Sequence, residues 1–282
     1  MKVTVNGKRL FFDTSGSVLT AGESGLVDKP TLILLHGAPG NSDHTVFKPI
    51  FEELADIAQV IYLDLAGCGR SDDPADGRFS LESWADDLVG FCDALGIVKP
   101  IVLGNSAGGM VAGVYASRYP DHPSKVILSS TQAKLDTNRC LDMFERLGGP
   151  DVRAVAERAL VTNGDAESLN EYVSKCMTLY NPTPQARKRH CIFRFDCAIE
   201  FHRIGGVWHQ MDFRDQLHRI TCPVMVMVGD LDPVTPLQDS EDLRSLIKPE
   251  LVRFERFANA GHSVWLDEPE RAFRVIREFV RP

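Results

Sequence analysis

Three residues in this chain have the types and the order of a nucleophile, an acid and a base. Residues 100–120 read PIVLGNSAGGMVAGVYASRYP, where an apolar run gives way to small residues around Ser106. Gly104-Asn105-Ser106-Ala107-Gly108 matches G-x-S-x-G directly after an expected strand and before an expected helix, a context that exposes a serine Oγ on a strained turn. A hydroxyl attacks poorly until a base takes its proton, and the base needs a carboxylate to fix its tautomer. Of the eight histidines, His262 in ANAGHSVW follows the last expected strand and precedes the closing helix. His190, His202, His209 and His218 fall in a helical stretch, where surface or lining roles are expected. In VMVMVGDLDPVTP two acids follow a strand that ends at Gly229. Asp232, further out where the loop can turn toward His262, is the expected acid, and Asp230 is expected to cap or hydrogen-bond locally. A tetrahedral oxyanion needs backbone N–H donors. Ala107, after the nucleophile, supplies one, and Ala38 in His36-Gly37-Ala38-Pro39-Gly40 is the expected second. His36 is expected to hold that loop by a structural hydrogen bond. The chemistry expected of such residues is acyl transfer from a small ester or amide to Ser106, then to water, without a cofactor.

Positioning these groups takes a sheet. KVTV and KRLFFD flank Asn6-Gly7, a pair suited to a two-residue hairpin turn. The runs TLILL (31–35), VIYLDL (60–65), IVLG (101–104), KVILSS (125–130), VMVMVG (224–229) and LVRFERF (251–257) read as strands. Helix-like segments such as FKPIFEELADI, LESWADDLVGFCDAL and SAGGMVAGVYASRYP separate most of them. The alternation predicts an α/β fold, a mostly parallel sheet covered on both faces with the hairpin as its antiparallel edge. It lapses between about Gln132 and Arg219, where LDMFERL, VRAVAERAL, LNEYVSKCMTLY and RHCIFRFDCAIEFHRI are helical in pattern. Residues 1–131 and 220–282 are therefore expected to form the core, and 132–219 an inserted helical subdomain.

The formal net charge of −8 over 282 residues gives no basic footprint, so neither nucleic acid nor an anionic membrane is expected as a partner. A small neutral or weakly charged molecule, or a short peptide, fits better, and the composition is compatible with a homo-oligomer. No stretch reaches the roughly 20 apolar residues of a membrane span, and no leader is evident, so a cytoplasmic location is expected. The seven cysteines are odd in number and lack metal-ligand spacing, which predicts free thiols and no metal. No glycine-rich phosphate loop follows the first parallel strand, which argues against a nucleotide enzyme.

HGAPG, DLAGCGRSDDP, GNSAGG, GDLDPVTP and AGHS, in this order, resemble the α/β-hydrolase family, and most of all its proline iminopeptidase branch. The resemblance covers nearly the whole chain apart from the insertion. It implies Ser106 as nucleophile, Asp232 as acid, His262 as base, Ala38 and Ala107 as oxyanion donors, and a helical cap over the site at 132–219. Asp64 and Arg70 fall in a segment that is usually structural in this family. The chain departs from the branch in having HGAPG rather than HGGPG. It also has Pro233 where relatives that recognise a free N-terminal amine often place a glutamate. A buried ammonium needs a carboxylate partner, and Asp196, Glu200 and Asp212 are the candidates in the insertion. The aromatic content of the insertion, including Phe195 and Trp208, suggests an apolar acyl pocket, so Phe195, Trp208 and Glu200 are taken as candidate substrate contacts. The run Arg187-Lys188-Arg189-His190 is expected to be a solvated helix face. Two rivals stand beside the esterase or amidase reading. One is a C–C bond hydrolase of aromatic-ring degradation, which shares a GNS-type elbow, and the other is a ligand-binding receptor on the same fold. Epoxide hydrolases and dehalogenases of this fold need an aspartate nucleophile, which Ser106 replaces.

Overall fold

The computed structural model describes residues 1–22, 25–162, 164–184 and 191–281. Asn6 and Gly7 take positive φ values of 49° and 79° and close the first hairpin, β1 (Lys2–Val5) with β2 (Lys8–Ser15). A second small hairpin, β3 (Leu19–Gly22) with β4 (Gly25–Asp28), pairs only with itself and had no clear signal in the sequence. The apolar runs become β5 (Thr31–Leu35), β6 (Gln59–Leu63), β7 (Ile101–Asn105), β8 (Lys125–Ser129), β9 (Val224–Gly229) and β10 (Val252–Phe257). Among the described residues the main sheet has eight strands in the order β1-β2-β6-β5-β7-β8-β9-β10. Pairing is antiparallel from β1 to β2 and from β2 to β6, and parallel elsewhere.

Strand side chains alternate between the two faces, and the buried residues divide accordingly. Ile33, Leu35, Val102, Val126 and Val226 pack on one side against α1 (Leu81–Leu95) and α2 (Ala107–Arg118). Helix α1 begins with a capping box in which Ser80 and Ser83 bond each other's backbone N–H groups. Leu32, Leu34, Leu103, Ile127, Met225 and Met227 face the other side. The expected helix over FKPIFEELADI (47–57) is absent: that segment has only a 3₁₀ helix at Ile50–Leu54, preceded by another at His44–Val46. Pro49 has no N–H to donate and biases Lys48 away from the α conformation. Phe47, Phe51 and Leu54 are still fully buried against the sheet.

Between β8 and β9 lie α3 (Thr137–Gly148), α4 (Pro150–Glu157), α5 (Ala166–Lys175), α6 (Phe195–His202) and α7 (Val207–Gln210). The described part of the insertion is thus helical, with a single isolated bridge between Lys134 and Asp212. Helix α6 starts at Phe195, later than the expected helical run from Arg189, and the basic run 187–190 lies outside the described residues. After β9 come α8 (Leu237–Leu246), α9 (Val264–Asp267) and α10 (Pro269–Val280), whose Ala272, Phe273 and Ile276 complete the second face of the core.

Candidate active site

Strand β7 ends at Asn105 and α2 starts at Ala107, so Ser106 alone makes the turn, with φ 55° and ψ −123°. Positive φ is strained for a residue with a Cβ and must be held by its surroundings. Here the Ser106 N–H donates to Ser129 O (3.0 Å), and Thr131 Oγ1 donates to Ser106 O (2.7 Å). Both motif glycines are sterically required: a Cβ on Gly104 would lie 2.1 Å from Gly108 O, and one on Gly108 2.0 Å from Leu35 O. Ser106 stays partly accessible, and among the described residues its Oγ makes no hydrogen bond. Catalytic hydrogen bonds often tighten only when substrate is bound.

The loop after β9 brings Asp232 to the loop after β10. Asp232 is fully buried, and its Oδ2 lies 2.9 Å from His262 Nδ1. Its other contacts fix it: Oδ1 accepts the N–H groups of Val234 (2.8 Å) and Thr235 (3.0 Å), and Oδ2 accepts Thr235 Oγ1 (2.7 Å). An ionised carboxylate only accepts, so neutral His262 carries its proton on Nδ1 and leaves the Nε2 lone pair free. Asp230 does not cap locally as expected; it reaches across to β10, where Arg256 holds both its oxygens (2.6 and 2.9 Å).

The loop after β5 lies against the elbow, since a Cβ on Gly37 would fall 2.7 Å from Ser106 Cβ. Ala38 has a φ of 45°. His36 is buried, with Nδ1 donating to Gly37 O (2.9 Å) and Nε2 accepting the Leu65 N–H (3.3 Å), the structural role expected of it. Neither the Ala38 N–H nor the Ala107 N–H finds an acceptor among the described residues.

The three candidate substrate contacts in the insertion are differently placed. Trp208 is buried; with the Gln132 amide turned so that its oxygen faces the indole, Trp208 Nε1–H donates to that oxygen (2.7 Å) and the amide nitrogen donates to Asp239 Oδ2 (2.7 Å). Arg139 Nη1 bonds the other Asp239 oxygen at 2.7 Å. Trp208 therefore belongs to a polar network that joins the insertion to α8. Burial pushes the Asp239 carboxyl up to about 7, although Arg139 pulls the other way. Phe195 is 63% exposed and stacks edge-on with exposed Phe193, and Glu200 pairs with Arg203 (3.1 Å). Asp212, a second candidate for an incoming amine, is held by Arg214 (2.7 Å), which keeps its carboxyl at about 2.

Asp43, His44 and Asp64 form a buried group with the residue types of a metal site. The carboxylate oxygens of both aspartates and His44 Nδ1 are engaged within the protein. Asp64 Oδ1 accepts from His44 N and Nδ1 (both 2.8 Å), its Oδ2 accepts Arg70 N–H (2.9 Å), and Asp43 accepts from Thr45 and Ile192. The chemistry of this donor set is that of a structural knot, as expected for the Asp64–Arg70 segment. The seven cysteines are free thiols.

A family described as alpha/beta hydrolase fold matches residues 30–154. A proline iminopeptidase of Lactobacillus delbrueckii subsp. bulgaricus is 30% identical over 273 residues, which cover 90% of each chain. The chain belongs to the α/β-hydrolase family. Among solved structures, a proline iminopeptidase of Mycobacterium smegmatis superposes with a TM-score of 0.79 at 24% identity, covering 99% of this chain and 97% of that one. A meta-cleavage product hydrolase of Pseudomonas fluorescens shares the α/β-hydrolase fold at a TM-score of 0.69 and 22% identity, over 99% of this chain and 96% of that one. The family, the sheet with its antiparallel hairpin and the proline iminopeptidase likeness are those expected from the motifs. Membership supports a hydrolase. No helix among the described residues is long and apolar enough to cross a membrane.

Sequence reasoning missed the residues that steady this site. Thr235 lies within GDLDPVTP but was given no role there, and the segment Tyr180–Thr183 beside His262 carries no motif. The one local signal was Gly261, a glycine beside the histidine.

Proposed function

We propose that the chain is a serine hydrolase that cleaves small ester or amide bonds through an acyl-enzyme, with an N-terminal prolyl or similar aminoacyl group as the acyl donor. The observation that carries this reading is the buried Asp232–His262 hydrogen bond, which leaves His262 Nε2 as a free acceptor in a protein whose Ser106 sits on a strained, partly accessible turn. Ser106 Oγ attacks the substrate carbonyl as His262 Nε2 takes its proton. The Ala38 and Ala107 N–H groups receive the developing oxyanion. The imidazolium, steadied by Asp232, returns the proton to the leaving amine or alcohol, and water attacks the acyl-enzyme by the same steps. Residues 132–219 act as the cap over this site. The prolyl preference rests on the relatives, which are named proline iminopeptidases over most of their length. An ammonium under the cap must compete with Arg203 for Glu200, or with Arg214 for Asp212.

The test is labelling by a fluorophosphonate, read as a mass shift on the intact protein and on Ser106→Ala, followed by rates on prolyl and other aminoacyl p-nitroanilides and on simple acyl esters. Labelling confined to the native protein, with prolyl-anilide turned over fastest, is the expected result. A native protein that takes no label refutes the activated serine and favours a binding protein. Acyl esters turned over well ahead of every aminoacyl anilide refute the prolyl preference alone.

A further inference from the structure

Residues Tyr180–Thr183 of the insertion run as a strap across the loop that carries His262. The His262 N–H donates to Tyr180 O (2.7 Å), and the Tyr180 ring stands edge-on to the imidazole with centroids 5.4 Å apart and planes at 70°. Asn181 Nδ2 donates to Ser263 O (3.2 Å) and to Asp267 Oδ2 (2.6 Å). Asp267 also accepts the N–H groups of Thr183 (3.0 Å) and Gly261 (2.8 Å). Its carboxylate therefore fastens the strap to the residue just before His262. A Cβ on Gly261 would lie 2.0 Å from Tyr180 O, so only glycine lets the strap come this close. The far end of the Tyr180 side chain is anchored too: its hydroxyl bonds the Tyr172 hydroxyl (2.8 Å), and buried Tyr172 packs edge-on against Phe144.

We propose that Tyr180 is a positioning residue for His262, so that the cap holds the general base as well as covering the substrate. The inference rests on the proposed role of His262. A single hydrogen bond at Nδ1 is a pivot: the imidazole can tilt about it and swing Nε2 through an arc. The Tyr180 ring blocks that tilt on one side, and the strap fixes the backbone from which the imidazole hangs. Displacement of a catalytic group by about 1 Å can cost up to about a hundredfold in rate.

The experiment measures the rate constant for inactivation by a small dialkyl fluorophosphate, alongside kcat and KM on the best anilide or ester, for the native protein, Tyr180→Phe and Tyr180→Ala. The small reagent reports on the serine and its base without needing cap contacts. Tyr180→Ala should lower both the inactivation rate and kcat by roughly ten- to a hundredfold with KM nearly unchanged, and Tyr180→Phe, which keeps the ring, should restore both. An effect on KM alone, an unchanged inactivation rate, or a Phe variant as slow as Ala would overturn the positioning role. Native protein that is not inactivated at Ser106 would overturn the catalytic reading and this inference with it. Should Tyr180→Ala fail to fold, Asp267→Asn loosens the strap without touching the ring, and an unchanged inactivation rate in that variant overturns the inference.

Discussion

Substitution of Asp232 by asparagine is the most demanding test of the site, because the structure dictates which way the new amide must face. Asp232 Oδ1 accepts two backbone N–H groups, from Val234 and Thr235, so that position must remain an oxygen. The amide nitrogen is then forced into the place of Oδ2, 2.9 Å from His262 Nδ1, where it presents a hydrogen to a nitrogen that also carries one. Two donors cannot share that contact, and Thr235 Oγ1 can rotate to accept while the imidazole cannot. His262 must move its proton to Nε2, which is then unable to accept from Ser106. A change of tautomer of this kind costs about 10⁴ in kcat, or about 5.5 kcal/mol in the barrier. The assay is kcat on a p-nitrophenyl ester or p-nitroanilide, with fluorophosphonate labelling as a substrate-independent check and a thermal melt to show that the variant is folded. A folded variant within about tenfold of the native rate would mean that the carboxylate does not set the tautomer, and the proposed roles of Asp232 and His262 would both fall.

Asp239 gives a prediction on stability rather than rate. Its carboxyl is pushed by burial up to about 7 in the folded protein, against about 3.9 in an unfolded chain, so the folded state binds the proton more tightly. That contribution is complete below about pH 4 and is lost as pH rises through 7. Melts at pH 4.5 and 7.5 should therefore show a larger fall for the native protein than for Asp239→Asn, and equal falls would refute the assignment. Ser80→Ala removes the side-chain cap of α1 and should cost about 1 kcal/mol in urea unfolding without changing kcat. Gly108→Ala puts a methyl 2.0 Å from Leu35 O at the junction of α2 and β5, and should yield insoluble protein or a fold that no longer takes the fluorophosphonate label.

What could be read in the sequence was what obeys a local period or a local turn. TLILL and VMVMVG become β5 and β9 residue for residue, because their neighbours on both faces are apolar and no register choice is left open. LESWADDLVGFCDAL becomes α1 with the same limits, since Ser80 and Gly96 mark its ends. FKPIFEELADI misled because its apolar spacing is helical although its backbone closes only a 3₁₀ helix, at Ile50–Leu54, from which Phe51 and Leu54 still reach the core. Asp230 and Asp232 differ by two positions, and only the distant Arg256 on β10 shows where Asp230 is spent. The aromatics of the insertion share one composition yet divide in space: Phe144 and Phe201 are buried, whereas Phe193 and Phe195 are exposed. Contacts such as Asn181 with Asp267, across more than eighty residues, leave no periodic trace at all.

The order of the strands has a consequence for the protein during its synthesis. Strand β8 ends at Ser129, but its neighbour β9 begins only at Val224, and β10 follows at Val252. A nascent chain that has emerged as far as the insertion already carries Ser106 on its elbow, yet lacks both Asp232 and His262. On the proposed roles of Asp232 and His262, it cannot yet hydrolyse a substrate. It also presents the edge of β8 with its backbone groups unpaired, the state in which a sheet is most open to joining another chain. The helices of 137–210 emerge in that interval and can shield this edge until β9 docks. On the proposed chemistry, hydrolytic competence therefore arrives only once β9, β10 and the loops after them have been made.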